Sequence, residues 1–82
     1  MARILYFAYL VDKLGCASEE MTLPEDVRSV GALLAFLRAR GGAWEKALAD
    51  QAVRVTVNRQ FAALESPIGD RDEIAVVSAH PW

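Results

Sequence analysis

The sequence predicts an α+β domain: a mixed sheet of four or five strands, with one main helix on one face and one or two short helical turns. Three observations carry that reading. Apolar residues alternate with period two near the amino terminus and again at Val53, Val55 and Val57. Val30, Leu33, Leu34 and Leu37 recur at i, i+3, i+4 and i+7, the spacing of one helix face. A last apolar run, Ile74 to Val77, follows a polar loop and closes a few residues before Trp82.

Each element has its own signal. Ile4, Tyr6 and Ala8 alternate with Leu5, Phe7 and Tyr9, both sets apolar, as in a central strand covered on two sides. The first set is expected in the core and the second under a partner. Leu10 to Leu14 reads as one helical turn ended by Gly15. Glu20-Met21-Thr22-Leu23 alternates as a half-buried strand, stopped by Pro24. Ser29 is placed to cap the main helix, and Arg38 and Arg40 suit its negative end. Gly41-Gly42 ends it, and Trp44, Ala47 and Leu48 mark a second short helical segment. Asn58-Arg59-Gln60 reads as a tight turn, since Asn tolerates left-handed geometry. Phe61 to Ala63 is a return strand, Pro67 to Asp72 a polar loop, and Ile74 to Val77 the last strand. The order is β-β-α-β-β-β, and a single helix covers only one face of such a sheet.

At 82 residues and 54% apolar composition the chain is long and apolar enough for one core. Residues 1–82 are expected to form a single domain, with 78–82 as its carboxyl-terminal tail. The net charge of −2 gives no electrostatic reason to expect nucleic acid or an anionic membrane. No apolar run approaches the ~18 residues of a membrane span, and the amino terminus carries no signal-peptide pattern, so a cytoplasmic protein is expected.

Few residues have the setting of a catalyst. Cys16 is the only cysteine and cannot form an internal disulfide; with no histidine near it in sequence it reads as a packing residue. His80 is the only histidine, too little for a zinc site. Asp70, Asp72 and Glu73 read as a solvated turn rather than a metal loop, and Glu19 and Glu20 as strand-edge charges. No catalytic residue and no metal site is expected. Trp44 is expected to pack under the helix, and Arg54 and Arg59 read as surface charges. Phe7, Tyr9 and Phe61 have two readings: ordinary core packing, the commoner case for any one of them, or a partner surface on an uncovered sheet face.

The residues that close the chain also carry a resemblance. Ile4-Leu5-Tyr6-Phe7-Ala8 with Leu14-Gly15, then Val57-Asn58 before a turn, then Pro67-Ile68 with Asp70-Arg71-Asp72-Glu73-Ile74-Ala75, follow one family's order and spacing over nearly the whole length. The chain resembles the MoaD family, the small subunit of molybdopterin synthase (molybdopterin converting factor subunit 1), of β-grasp or ubiquitin-like fold. The resemblance implies a sulfur carrier with no catalytic residues and no bound cofactor. In that family the chain ends in Gly-Gly, and an adenylating enzyme (MoeB-like) activates the terminal carboxylate with ATP. Sulfur then replaces the adenylate. The resulting thiocarboxylate enters the large catalytic subunit (MoaE-like), in a heterotetramer, and supplies sulfur for the dithiolene of the molybdenum cofactor. Glycine suits such a tail because it lacks a Cβ that would obstruct a narrow channel. On this reading the sheet face, with Phe7, Tyr9 and Phe61, and the tail, with His80, Pro81 and Trp82, are expected to make the partner contacts.

Two departures stand out. Ser78-Ala79 fall where the family has Pro-Pro, and Trp82 falls near the penultimate glycine, with no Gly-Gly in the sequence. Arg71 takes a position where the family usually has glycine; if that turn needs φ > 0, strain of ~1 kcal/mol is expected. Three readings of the tail stay open: a native end beyond Trp82, an altered end, or a β-grasp binding module that kept the fold without the carrier chemistry. A carrier for thiamine synthesis or tRNA thiolation is the remaining alternative.

Overall fold

The computed structural model describes residues 1–7, 9–49 and 52–78, and at Tyr9 the backbone alone. The elements run β1 (Ala2–Tyr6), α1 (Tyr9–Leu14), β2 (Ser18–Met21), α2 (Val30–Arg38), α3 (Ala43–Ala47), β3 (Val53–Val57), β4 (Gln60–Ala62) and β5 (Glu73–Ser78). The strands form one mixed sheet in the order β2-β1-β5-β3-β4. β5 lies in the middle, parallel to β1 and antiparallel to β3. This is the predicted α+β class, a five-stranded sheet with one principal helix and two short ones.

The core follows from two periodicities meeting. Ala2, Ile4 and Tyr6 of β1, Val53 and Val55 of β3, and Ile74 and Val76 of β5 point to one face of the sheet and are buried. Val30, Leu33, Leu34 and Leu37, the predicted stripe of α2, are buried with them in one cluster. Each such side chain contributes roughly 1.5–3 kcal/mol on burial, which is why the helix docks despite its nine residues.

The amino-terminal alternation continues past the strand it predicts. β1 stops at Tyr6, and Tyr9 opens α1 instead of extending the strand. The reason is a change of period: Leu10 is fully buried and Leu14 packs against the core four residues later, a helical repeat. Gly15 then ends α1 at φ +80°, its N–H donating to Val11 O at 2.9 Å. β2 also shifts from its predicted place. It pairs Ser18 to Met21 with β1, while Leu23 is buried outside any strand and donates its N–H to Asp70 Oδ1 at 2.8 Å.

α2 starts where its first four amides all find acceptors. Val30 N–H donates to Ser66 O at 3.1 Å and Gly31 N–H to Leu64 O at 2.8 Å. Ala32 N–H donates to the predicted cap, Ser29 Oγ, at 3.1 Å, and Leu33 N–H to Ser29 O at 2.9 Å. The loop after β4 therefore holds the helix start. Gly31 permits the approach, because a Cβ there would lie 3.2 Å from Leu64 O.

The β3–β4 hairpin turns through Asn58 at φ 51° and Arg59 at φ 72°, both left-handed, as a two-residue turn of this twist requires. Arg71 is not among the residues with positive φ, so the strain expected there does not arise.

Candidate functional site

Opposite α2 the sheet lies open. Cα pairing places Leu5 beside Ala75, Ala75 beside Thr56 and Thr56 beside Phe61, a mainly apolar row running across β1, β5, β3 and β4. Val77 and Arg54 form the next pair toward the carboxyl-terminal end of β5. Leu5, Ala75, Val77 and Thr56 are half-buried by their neighbours alone. Phe61 is 76% exposed and Phe7, just after β1, 45%. An uncovered apolar face of this kind is available to another molecule.

The rim is charged. Arg3 pairs with Glu20 at 3.2 Å across β1 and β2, with Glu73 beside Arg3 on β5. Exposed pairs of this kind add little stability and serve orientation. β5 ends at Ser78, opposite Val53, so Ser78 is a strand residue and not the first residue of the tail. Of the predicted contacts, the structure puts Phe61 on this face through its pairing with Thr56, and leaves Phe7 exposed just beyond β1, outside the strand pairing. Tyr9 lies on α1, its side chain outside the described residues, as are His80, Pro81 and Trp82.

The loop before β5 is built, not merely solvated. Asp70 Oδ1 accepts the Leu23 N–H, and Asp72 Oδ2 accepts the Gly69 N–H at 2.8 Å. Asp72 Oδ1 accepts the Asn58 side-chain amide at 2.9 Å, while Asn58 Oδ1 accepts the Glu73 N–H at 3.0 Å. The Asn58 N–H in turn donates to Glu73 O at 2.8 Å. These carboxylates bind backbone and amide groups, and no cluster of three or more metal-ligating side chains occurs among the described residues. The sequence holds the signal for this clamp in Val57-Asn58 and Asp72-Glu73, but only the register brings them together.

A second group sits on the helix side. Tyr6 donates its hydroxyl to Glu19 Oε1 at 3.2 Å, and Arg40 pairs with Glu19 at 2.9 Å. The Arg40 guanidinium also lies 4.4 Å from the Trp44 ring centre, and Trp44 meets Tyr6 edge-on at 5.5 Å. Glu19 is thus no solvated edge charge: it lies on the core side of β2, paired with Ile4. Burial, and then the Glu19 charge, push the Tyr6 phenol far above its ordinary value. The same two causes raise the Cys16 thiol, which leaves it protonated at neutral pH and a poor nucleophile.

What the described residues present is an apolar sheet face, a charged rim and a pinned central strand that leads out to the carboxyl-terminal tail. That arrangement is suited to docking. Known proteins agree with it. The ThiS family model matches residues 4–80. SAMP1 from Haloferax volcanii superposes with a TM-score of 0.77 at 23% identity, over 99% of this chain and 97% of that one, a likeness of fold. A putative molybdopterin converting factor, subunit 1, from Pyrococcus furiosus superposes at 0.75 with 26% identity, over 94% of each chain. A further structure of small archaeal modifier protein 1 from H. volcanii gives 0.74 and 25%, over 93% of each. No curated protein matches the sequence. The chain belongs to the ThiS family and has the ubiquitin-like β-grasp fold.

Proposed function

We propose that this chain is the sulfur-carrying small subunit of a molybdopterin synthase. The observation that carries the proposal is the open face that holds Leu5, Ala75 and Phe61, crossed by the strand that leads to the tail. Docking of that face on a large MoaE-like subunit positions the tail in the partner's site. The likeness to the Pyrococcus furiosus converting-factor subunit supports this pathway.

The chemistry asks one thing of the carrier, a presented carboxyl group. A free carboxylate is a weak electrophile. A MoeB-like adenylating enzyme uses ATP to supply a leaving group, and sulfur then displaces the adenylate. The domain contributes binding energy and orientation, with ATP held by its partner and no cofactor of its own.

The two SAMP1 structures favour a second reading, a carrier whose activated terminus is passed to another protein. The family match keeps a thiamine-type carrier beside it. One experiment separates them. The protein from its full native gene is incubated with the adenylating enzyme, ATP and a sulfur donor, and its intact mass is read. Exchange of one oxygen for sulfur, followed by transfer to a pterin precursor in the presence of the large subunit, is the expected result. Sulfur loading without pterin transfer would overturn the molybdopterin assignment, and attachment to a protein amine would favour the modifier.

A further inference from the structure

β4 has three residues and its neighbour β3 five, so part of β3 is left uncovered. In an antiparallel ladder the N–H and C=O groups of successive residues point to alternate flanks of a strand. The Asn58 N–H donates to Glu73 O, so Thr56 and Arg54, two and four residues back, bond toward β5. Val57, Val55 and Val53 therefore turn their backbone groups to the β4 flank. Gln60 meets Val57 there, and Ala62 meets Val55. In the same register the place opposite Val53 falls to Leu64, but Leu64 has left the sheet: its carbonyl accepts the Gly31 N–H at the start of α2. The diversion that caps the helix thus bares the edge of β3, and among the described residues no strand lies beside Val53 on that flank.

This edge opens on a groove of about 240 Å³. Val30 and Leu34 of α2, Val53 and Val55 of β3, and Ala62 and Leu64 after the turn give it apolar walls. Phe61 lines it too, so the groove meets the open sheet face at that side chain. Arg54 also lines it, exposed and, among the described residues, without an acidic partner. The opposite edge of the sheet differs. On β2, Glu19 and Glu20 are already matched by Arg40 and Arg3, a charged finish of the kind that keeps an edge from pairing further.

We infer that this notch is a docking site for an extended segment of another protein, apolar at alternate positions and acidic between them, which adds to β3 as a strand. Its backbone meets the N–H and C=O of Val53, and its apolar side chains enter the groove against Val30 and Leu34. The residue opposite Arg54 stands on the same side of the sheet as Arg54, and a carboxylate there answers the guanidinium. A second copy of this chain fits poorly, because β3 against β3 around this notch would set Arg54 beside Arg54. The site lies at the edge of the sheet, beside the row of Leu5, Ala75 and Thr56 and not on it. The inference therefore goes beyond the carrier reading and does not depend on it.

The test is an NMR titration of the isotopically labelled full chain with an acetylated hexapeptide of alternating valine and glutamate, and with its valine–lysine counterpart. The expected result is a saturable shift of the Val53 and Leu64 amides, while those of Leu5, Ala75 and the β2 edge hold still. The glutamate peptide should bind at least about twofold more tightly than the lysine peptide, and Arg54→Glu should reverse that order. Arg54 is exposed, so the amide dispersion of the variant should match that of the parent. N-methylation of the peptide's central amides should weaken binding about three- to tenfold through the lost backbone hydrogen bonds. Absence of a saturable shift overturns the inference, as do shifts confined to Leu5 and Ala75 or to β2. Equal binding of the two peptides, or indifference to N-methylation, overturns it also. Shifts of the same amides that grow with protein concentration in the absence of peptide would give the notch to a second copy and overturn it likewise.

Discussion

Phe61 offers a clean division between folding and binding. Its side chain is 76% exposed in the free domain, so folding has already claimed about a quarter of its surface. Full burial of a phenylalanine is worth roughly 1.5–3 kcal/mol. Phe61→Ala should therefore cost about 0.5 kcal/mol of stability, a fall in Tm of about 2–4 °C for a domain of this size. If a partner covers the remaining three quarters, the same substitution should cost about 1–2 kcal/mol of binding, or roughly 5–30-fold in Kd. The assay pairs a thermal melt of the free chain with calorimetric titration against the large subunit of a molybdopterin synthase. Unchanged affinity beside an unchanged melt would refute the sheet face as the docking surface. A melt lowered as far as a fully buried phenylalanine would lower it would refute the burial on which the division rests. Phe7, at 45% exposure, should split its effect more evenly.

Two further outcomes follow from the polar contacts. Asn58→Ala removes the amide donor to Asp72 and the acceptor for the Glu73 N–H, and leaves a non-glycine residue at φ 51° without its local bonds. A loss of about 1–3 kcal/mol is expected in urea unfolding, and a Cm like that of the parent would count against the clamp. Tyr6 supplies a pH signature. Its folded pKa is raised, so its contribution is complete below the unfolded value near 10 and falls away as pH climbs above it. Above about pH 10, parent stability should decline more steeply than that of Tyr6→Phe, by up to about 1.4 kcal/mol per pH unit for one proton. Parallel curves would mean that the phenol ionises freely in the folded chain.

Periodicity exposed the parts of this fold that repeat over several residues. The α2 stripe, the β3 valines and the final strand all stand where their spacing puts them, because each buries a continuous row against the others. Where one period passes into another the reading failed. Phe7, Ala8 and Tyr9 are apolar enough to extend a strand, and only Leu10 and Leu14, falling four apart, disclose that the chain has become helical. Glu19 misled for a related reason. A carboxylate on an edge strand is usually solvated, and its partners, Tyr6 and Arg40, are 13 and 21 residues away. The strand order, the Asn58–Asp72 bond and the mainly apolar row across four strands are properties of register, which one sequence does not spell out. Phe7 and Phe61 could be suspected singly. That Phe61 lies on the face away from α2 emerges only when β5, β3 and β4 are laid side by side.

The middle position of β5 has a mechanical consequence. A carrier held by its sheet face and drawn by its carboxyl-terminal end takes the load along the axis of β5. That strand is bonded on one flank to β1 and on the other to β3, and its far end is tied to the hairpin tip through Asn58 and Asp72. A pull along it loads both ladders in shear, so that many bonds bear the force at once instead of opening one after another as at a zipper's edge. A pull applied at the carboxyl-terminal end of β5 would thus leave the shape of the domain behind it intact until both ladders give way together.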